Sequence, residues 1–214
     1  MKYPVFLQAL ALTIVVFAIG MYIGIVFEEN RLMQINNYYI DSEVSMIDIL
    51  SLNNMIGLEK ISCSELEEAN INLLNRVYEE AIILQEFEDS GRITNNLKGI
   101  HKKYDALRTY LWVNSIQIKE SCNSDFNLIV YLYRYEEKDL VKRAEQTVWS
   151  RLLLEVKNSN KNVVLIPIAI DTDLESIGVF IEDYNIEKYP AVIINQEVVL
   201  QKVITKEEIE SYLN

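Results

Sequence analysis

The stretch Asp183-Tyr-Asn-Ile-Glu-Lys-Tyr-Pro-Ala-Val-Ile-Ile-Asn195 decides how the second half of this 214-residue chain is read. Proline lacks an amide proton and holds the residue before it out of helical geometry, so Tyr189-Pro190 is a bend between a helix end and an apolar strand. The strand, Ala191 to Ile194, then turns at Asn195-Gln196 into a second one, Val198 to Ile204.

Toward the N-terminus, Phe126–Tyr133 (FNLIVYLY) and Val163–Ile170 (VVLIPIAI) are near-continuous apolar runs, the pattern of strands buried on both faces. Pro167 inside the second run argues for an edge strand or an interruption. Between them Lys138–Val156 reads as an amphipathic helix with Leu140, Ala144, Val148, Leu152 and Val156 along one side. Such a βαβ unit implies parallel strands. Leu174–Tyr184 is a further helix, and Thr205 with Glu208 forms a capping box for a last helix to Leu213. The expected order is β-α-β-α-β-β-α.

That order, with Asp171 after a strand, Tyr184-Asn185-Ile186 at a helix end, then Glu187-Lys188, Tyr189 and Pro190, resembles the thioredoxin-like family over residues 126–214. The resemblance implies a cis Tyr189-Pro190 bond and a peptide-contact edge beside it. It also implies a redox pair between the first strand and the next helix, where this chain has Tyr133-Arg-Tyr-Glu-Glu-Lys-Asp139 and no thiol. Thiol exchange needs a thiolate there. What remains is a candidate recognition surface of Tyr133, Arg134, Tyr135, Tyr189 and Pro190, residue types favoured in binding hot spots. The other reading of these tyrosines is that they pack against the helices preceding them.

Those helices occupy residues 30–122. Leu32, Ile35, Tyr39, Ser42, Met46, Ile49, Asn53 and Ile56 alternate spacings of three and four, the seam of a helix packed along others, with Gly57 ending it. Ser64 and Glu67 suggest a capping box for a second helix, with Leu66, Ala69, Leu73, Val77, Ala81 and Leu84 on one stripe and an end near Ser90-Gly91. A third, Asn95–Lys119, carries Ile93, Leu97, Ile100, Tyr104, Leu107, Leu111, Asn114 and Ile118. The short Gly91–Thr94 turn makes helices two and three antiparallel, and with the first they suggest a three-helix bundle. A parallel dimeric stalk built on the first helix is the other arrangement. Buried Ser42, Asn53 or Asn114 would set register.

Cys63 and Cys122 lie at nearly equal distances from the Arg92-Ile93 turn, and equal arms of an antiparallel hairpin bring both ends together. A structural disulfide is expected, given an oxidising compartment. A reactive dithiol and two unpaired buried thiols are the alternatives.

Residues 1–29 read as a membrane anchor, because Pro4–Phe27 holds no charge and about 20 such residues cross a bilayer's hydrocarbon. A cleaved signal peptide competes at Ala18-Ile-Gly20, but the apolar run is longer than a signal's h-region and continues past that site. Lys2 precedes the run while Glu28, Glu29 and Arg31 follow it, placing the N-terminus in the cytoplasm and the rest outside. Gly20-x-x-x-Gly24 would let two such helices approach closely.

The net charge of −12 is spread over both outer parts, which disfavours nucleic acid or an anionic membrane surface as partner. His101 is the sole histidine, expected to face solvent beside Lys102 and Lys103, so neither a histidine metal cluster nor a Ser/His/Asp set has material. Asp171-Thr-Asp173 is expected to cap the following helix rather than hold a cation. No phosphate loop, zinc spacing or cofactor motif occurs. The sequence therefore reads as a mixed α+β chain: an anchor, a helical bundle and a thioredoxin-like α/β domain, noncatalytic and binding a protein or peptide without metal or cofactor. A homodimer or a subunit of a larger membrane complex both fit. The alternative is an extracytoplasmic thiol-disulfide oxidoreductase or isomerase working through Cys63 and Cys122.

Overall fold

A computed structural model describes residues 3–56, 62–89 and 95–213. Gly57 and the turn near Ser90–Thr94 lie outside the described residues, as do the side chains of Leu32, Ile35, Ser42, Ile49, Asn53 and Ile56 from the first seam.

Two compact units emerge, one ending at Tyr38 and one running from Tyr39. Helix α1, Tyr3–Ile56, supplies the first unit with its residues up to Tyr38, and its remainder belongs to the second. Its segment Pro4–Arg31 is the one helix among the described residues long and apolar enough to cross a membrane, and none of its most apolar window is buried. The apolar side chains from Val5 to Phe27 are correspondingly exposed.

The second unit is mixed α+β. Helices α2, Cys63–Asp89, and α3, Asn95–Cys122, are followed by β1, Asn127–Tyr133, α4, Leu140–Ser159, and β2, Val163–Ala169. Then come α5, Glu175–Asp183, the hairpin β3, Ala191–Ile194, with β4, Val198–Leu200, and α6, Lys206–Glu210. The sheet order is β2-β1-β3-β4: β1 runs parallel to β2 and antiparallel to β3. β2 is an edge strand, where Pro167 withdraws no ladder hydrogen bond from a second neighbour. Asn195 and Gln196 both have positive φ, 50° and 61°, and Glu197 N donates to the Ile194 carbonyl at 3.0 Å, closing the turn between β3 and β4. The second hairpin strand ends at Leu200, short of the expected Ile204. The Tyr189-Pro190 bond is cis.

The helix caps refine the sequence reading. The capping box of α2 belongs to Ser62 and Glu65, two residues before the expected pair: Ser62 N donates to Glu65 Oε2 at 3.1 Å and Glu65 N to Ser62 Oγ at 3.3 Å. The stretch contains both S-x-x-E frames, and the earlier one lets Cys63 enter the helix. For α6 the Thr205–Glu208 box forms as expected.

Along α2 and α3 the apolar stripes meet, and all the described seam positions of α3 from Leu97 to Ile118 are buried. Asn114 Nδ2 donates to Asn70 Oδ1 at 2.9 Å, and Asn70 Nδ2 donates to Ser115 Oγ at 2.9 Å. This connected polar set between two helices penalises any slip in register, since a slipped pair would bury amides without partners. Cys63 and Cys122 are joined in a disulfide with Cα atoms 5.5 Å apart. From α1, Tyr39 meets Tyr104 edge-on at 5.7 Å.

Helix α4 departs from expectation in its N-terminal part, while Val156 is buried and Leu152 packs against the core as expected. Trp149, Leu153 and Val156 are its buried residues, whereas Leu140 is 74% and Val148 50% exposed. The inward face is rotated by one residue because the bulky Trp149 enters the core beside Ile129, Val192, Val163 and Ile209. Residues of the other parity in β1, Leu128, Val130 and Leu132, are just as buried, so both faces of the sheet are covered. Trp112 of α3 stacks on Phe180 of α5 at 4.0 Å.

Candidate functional site

The loop leaving β1 is pinned by four side chains from three other places in the chain. Asp171, just beyond β2, accepts from Tyr135 N at 2.7 Å and from Glu136 N at 3.1 Å. Its carboxylate thus holds this loop rather than capping α5, whose N-cap Leu174 has no side-chain bond. Gln146 of α4 clamps the Arg134 backbone from both sides, accepting from its N–H at 3.1 Å and donating to its carbonyl at 3.0 Å. An amide side chain here continues the ladder that β1 has run out of. Lys98 pairs with Glu136, and this contact holds the Glu136 carboxyl below its usual range. Tyr135 stacks on His101 with ring centres 3.9 Å apart.

His101 is therefore buried, 5% exposed, and not solvent-facing as the sequence suggested. The reason is that α3 has two inward faces. Its apolar seam meets α2, while a second stripe of His101, Asp105, Arg108, Trp112 and Ser115 is buried as well. Lys102 and Lys103 lie on the exposed side of the helix, away from both stripes. Asp105, fully buried, organises this second face: its carboxylate lies 3.2 Å from His101 Nε2, 3.2 Å from Arg108 Nη1, and accepts from Ala169 N on the edge strand at 3.2 Å. Two donors, Arg108 Nη1 and Ala169 N, reach Oδ1 and offset part of the cost of burying that carboxylate, while Oδ2 accepts no hydrogen bond among the described residues. Tyr133 reaches the same histidine, its hydroxyl 3.4 Å from Nε2.

The five candidate residues separate into two groups. Tyr133 and Tyr135 are half-buried against His101, and Pro190 is buried. Arg134 is exposed, with its guanidinium 5.9 Å from the centre of the Tyr189 ring. Burial raises the Tyr189 phenol above its ordinary value, with the Arg134 charge opposing. Arg134 and Tyr189 thus form an accessible cation–aromatic pair beside the cis proline, assembled from two loops more than fifty residues apart in sequence.

Beside this pair the chain encloses a cleft of about 550 Å³ between α2, α3, β1 and α4. Tyr131, Tyr133 and Tyr135 alternate along one side of it, the first two rings stacked at 5.5 Å. Arg143, Gln146, Thr147, Ser150 and Arg151 line the opposite side at helical spacing. Tyr78 of α2 and Arg108 of α3 complete the wall. Burial pushes the phenols of Tyr131 and Tyr78 upward, so both stay protonated at neutral pH. The sequence reading missed this cleft. Its one local trace is the polar stripe on α4, which a single helix cannot distinguish from an ordinary solvated face.

The disulfide is remote from this region along α3: 21 residues of helix, on the order of 30 Å, separate His101 from Cys122. No family model, curated protein or solved structure matches the chain.

Proposed function

We propose that the chain is a membrane-anchored extracytoplasmic protein whose thioredoxin-like domain, residues 126–214, binds a protein or peptide partner without turnover. The observation that carries the reading is the fixed pair of Arg134 and Tyr189 beside cis-Pro190, the guanidinium 5.9 Å from the ring, on a loop whose backbone is clamped by Gln146 and Asp171. A surface held in place before contact loses little entropy on binding, and arginine and tyrosine are the residue types that dominate such contacts. The element order and the cis proline support the family resemblance. The thiol-free loop after β1 supports a binding role over a redox one. The uncharged run Pro4–Phe27, preceded by Lys2 and followed by Glu28 and Glu29, supports an anchor with its N-terminus in the cytoplasm.

Crosslinking and capture from native membranes tests this directly. Arg134→Ala and Tyr189→Ala are expected to lose the same partner while the wild type retains it; an unchanged partner set in both variants refutes the binding face. Insulin-reduction and scrambled-substrate assays separate the oxidoreductase alternative, since turnover that depends on Cys63 and Cys122 would replace the binding reading.

A further inference from the structure

The cleft beside the Arg134–Tyr189 pair has a charge pattern opposite to that of the chain. The protein carries a net −12 and seven arginines: Arg31, Arg76, Arg92, Arg108, Arg134, Arg143 and Arg151. The last four line this cleft, and no aspartate or glutamate is among its lining residues. Asp105 partners Arg108 from behind. Arg143 donates to the Glu137 carbonyl, from Nε at 3.2 Å and from Nη2 at 2.6 Å, which orients the guanidinium without neutralising it. Among the described residues, none of Arg134, Arg143 and Arg151 has a carboxylate within 4.0 Å.

Two further features suit the cleft to a ligand. Arg108 is 6% exposed, and its Nε has no hydrogen-bond partner among the described residues, a donor that an incoming oxyanion would satisfy. Tyr78, Tyr131, Leu153, Leu165 and Pro167 give the cleft an apolar and aromatic part of its wall. The Tyr131 ring is fixed by its hydroxyl donating to the Gln146 carbonyl at 3.0 Å. The volume of about 550 Å³ falls within the range of small-molecule sites, which pair apolar walls with a few placed polar groups.

We infer that this cleft binds a small organic anion with an apolar or aromatic body, its carboxylate or phosphate held by the arginines and its body lying against Tyr131 and Pro167. Guanidinium groups match planar oxyanions in two-point contacts, and concave cationic walls concentrate anions. The cleft shares Arg134 with the partner face, but Arg143 and Arg151, on which the test rests, line the cleft and are not part of the Arg134–Tyr189 pair.

The test is calorimetric titration of the full chain in phosphatidylcholine nanodiscs with phenylbutyrate, phenyl phosphate and neutral phenylbutyramide. At least one anion is expected to bind, with the amide weaker by about tenfold, the scale of one charge-assisted hydrogen bond. The stronger of the two anions identifies the headgroup. Arg143→Gln with Arg151→Gln, both exposed positions, is expected to weaken anion binding by about tenfold or more. Lys138→Gln with Lys142→Gln, the same charge change at exposed neighbours that do not line the cleft, should alter it by less than about threefold. Absence of binding by both anions, equal binding of the amide, or an equal loss in the lysine variant overturns the inference. Partner capture through Arg134 and Tyr189 is scored independently, so failure of either proposal is visible without the other.

Discussion

Removing the Cys63–Cys122 disulfide, by the double substitution Cys63→Ala with Cys122→Ala, should destabilise the second unit without changing its folded structure. The bond closes a loop across a sequence separation of 59 residues. In the chain-entropy account a loop of that length restricts the unfolded ensemble by about 4 kcal/mol. The native hairpin is held by other contacts as well, because Leu66, Leu73, Val77 and Leu84 of α2 are buried, as are Leu97, Leu107, Leu111 and Ile118 of α3. Near-ultraviolet circular dichroism of the variant should therefore match the wild type at low temperature. Thermal unfolding of the full chain should shift downward by about 10 °C for a unit of this size. The denaturant slope should rise, since an unfolded chain without the crosslink exposes more surface. Wild-type protein treated with a reductant should reproduce all three results. A stability loss below about 1 kcal/mol would refute the loop-closure reasoning. So would a full loss with an unchanged slope and altered near-ultraviolet signal, which would place the effect in the folded state.

Two other outcomes follow from the polar contacts. Asn70→Ala removes the acceptor of Asn114 and the donor to Ser115, and should cost about 1–3 kcal/mol in denaturant unfolding. Asn70→Leu with Asn114→Leu should cost less than the sum of the two single changes, and strict additivity would show that these residues do not act as one network. Glu65 is held below its ordinary value of 4.5, first by the Ser62 hydroxyl and then by the Ser62 backbone N–H. Its contribution to stability is thus present above the unfolded carboxylate range and is lost as pH falls through the depressed folded value. Ser62→Ala should raise the Glu65 midpoint in a carboxyl-detected NMR titration, and an unmoved midpoint would show that the capping box does not form in solution.

Much of the fold was legible because it depends on short-range pattern. The uncharged run Pro4–Phe27, the apolar strands at Asn127–Tyr133 and Val163–Ala169, and the Pro190 bend are each set by residues contiguous in the chain. The pairing of Cys63 with Cys122 was legible for a different reason: equal arms on an antiparallel hairpin leave one meeting point, whatever the side chains between them. The inward face of α4 was legible only at its C-terminal end, where Leu152 and Val156 pack inward. Leu140 and Val148 offered a continuation of that stripe, but Trp149 outweighs them in apolar area and turns the helix by one residue.

At the candidate site the division is sharper. By itself the sequence determined that no thiol lies between β1 and α4, and that Tyr133, Arg134 and Tyr135 stand at the end of a buried strand. Only the tertiary structure decided that His101 turns inward onto Tyr135, that Asp171 and Gln146 clamp the loop, and that four arginines from α3, the loop and α4 share one cleft. A strand's period and a helix's cap are local, because their hydrogen bonds close within a few residues. A cationic cleft exists only where surfaces distant in the chain come together, and its charges carry no mark of that meeting until packing brings them within reach.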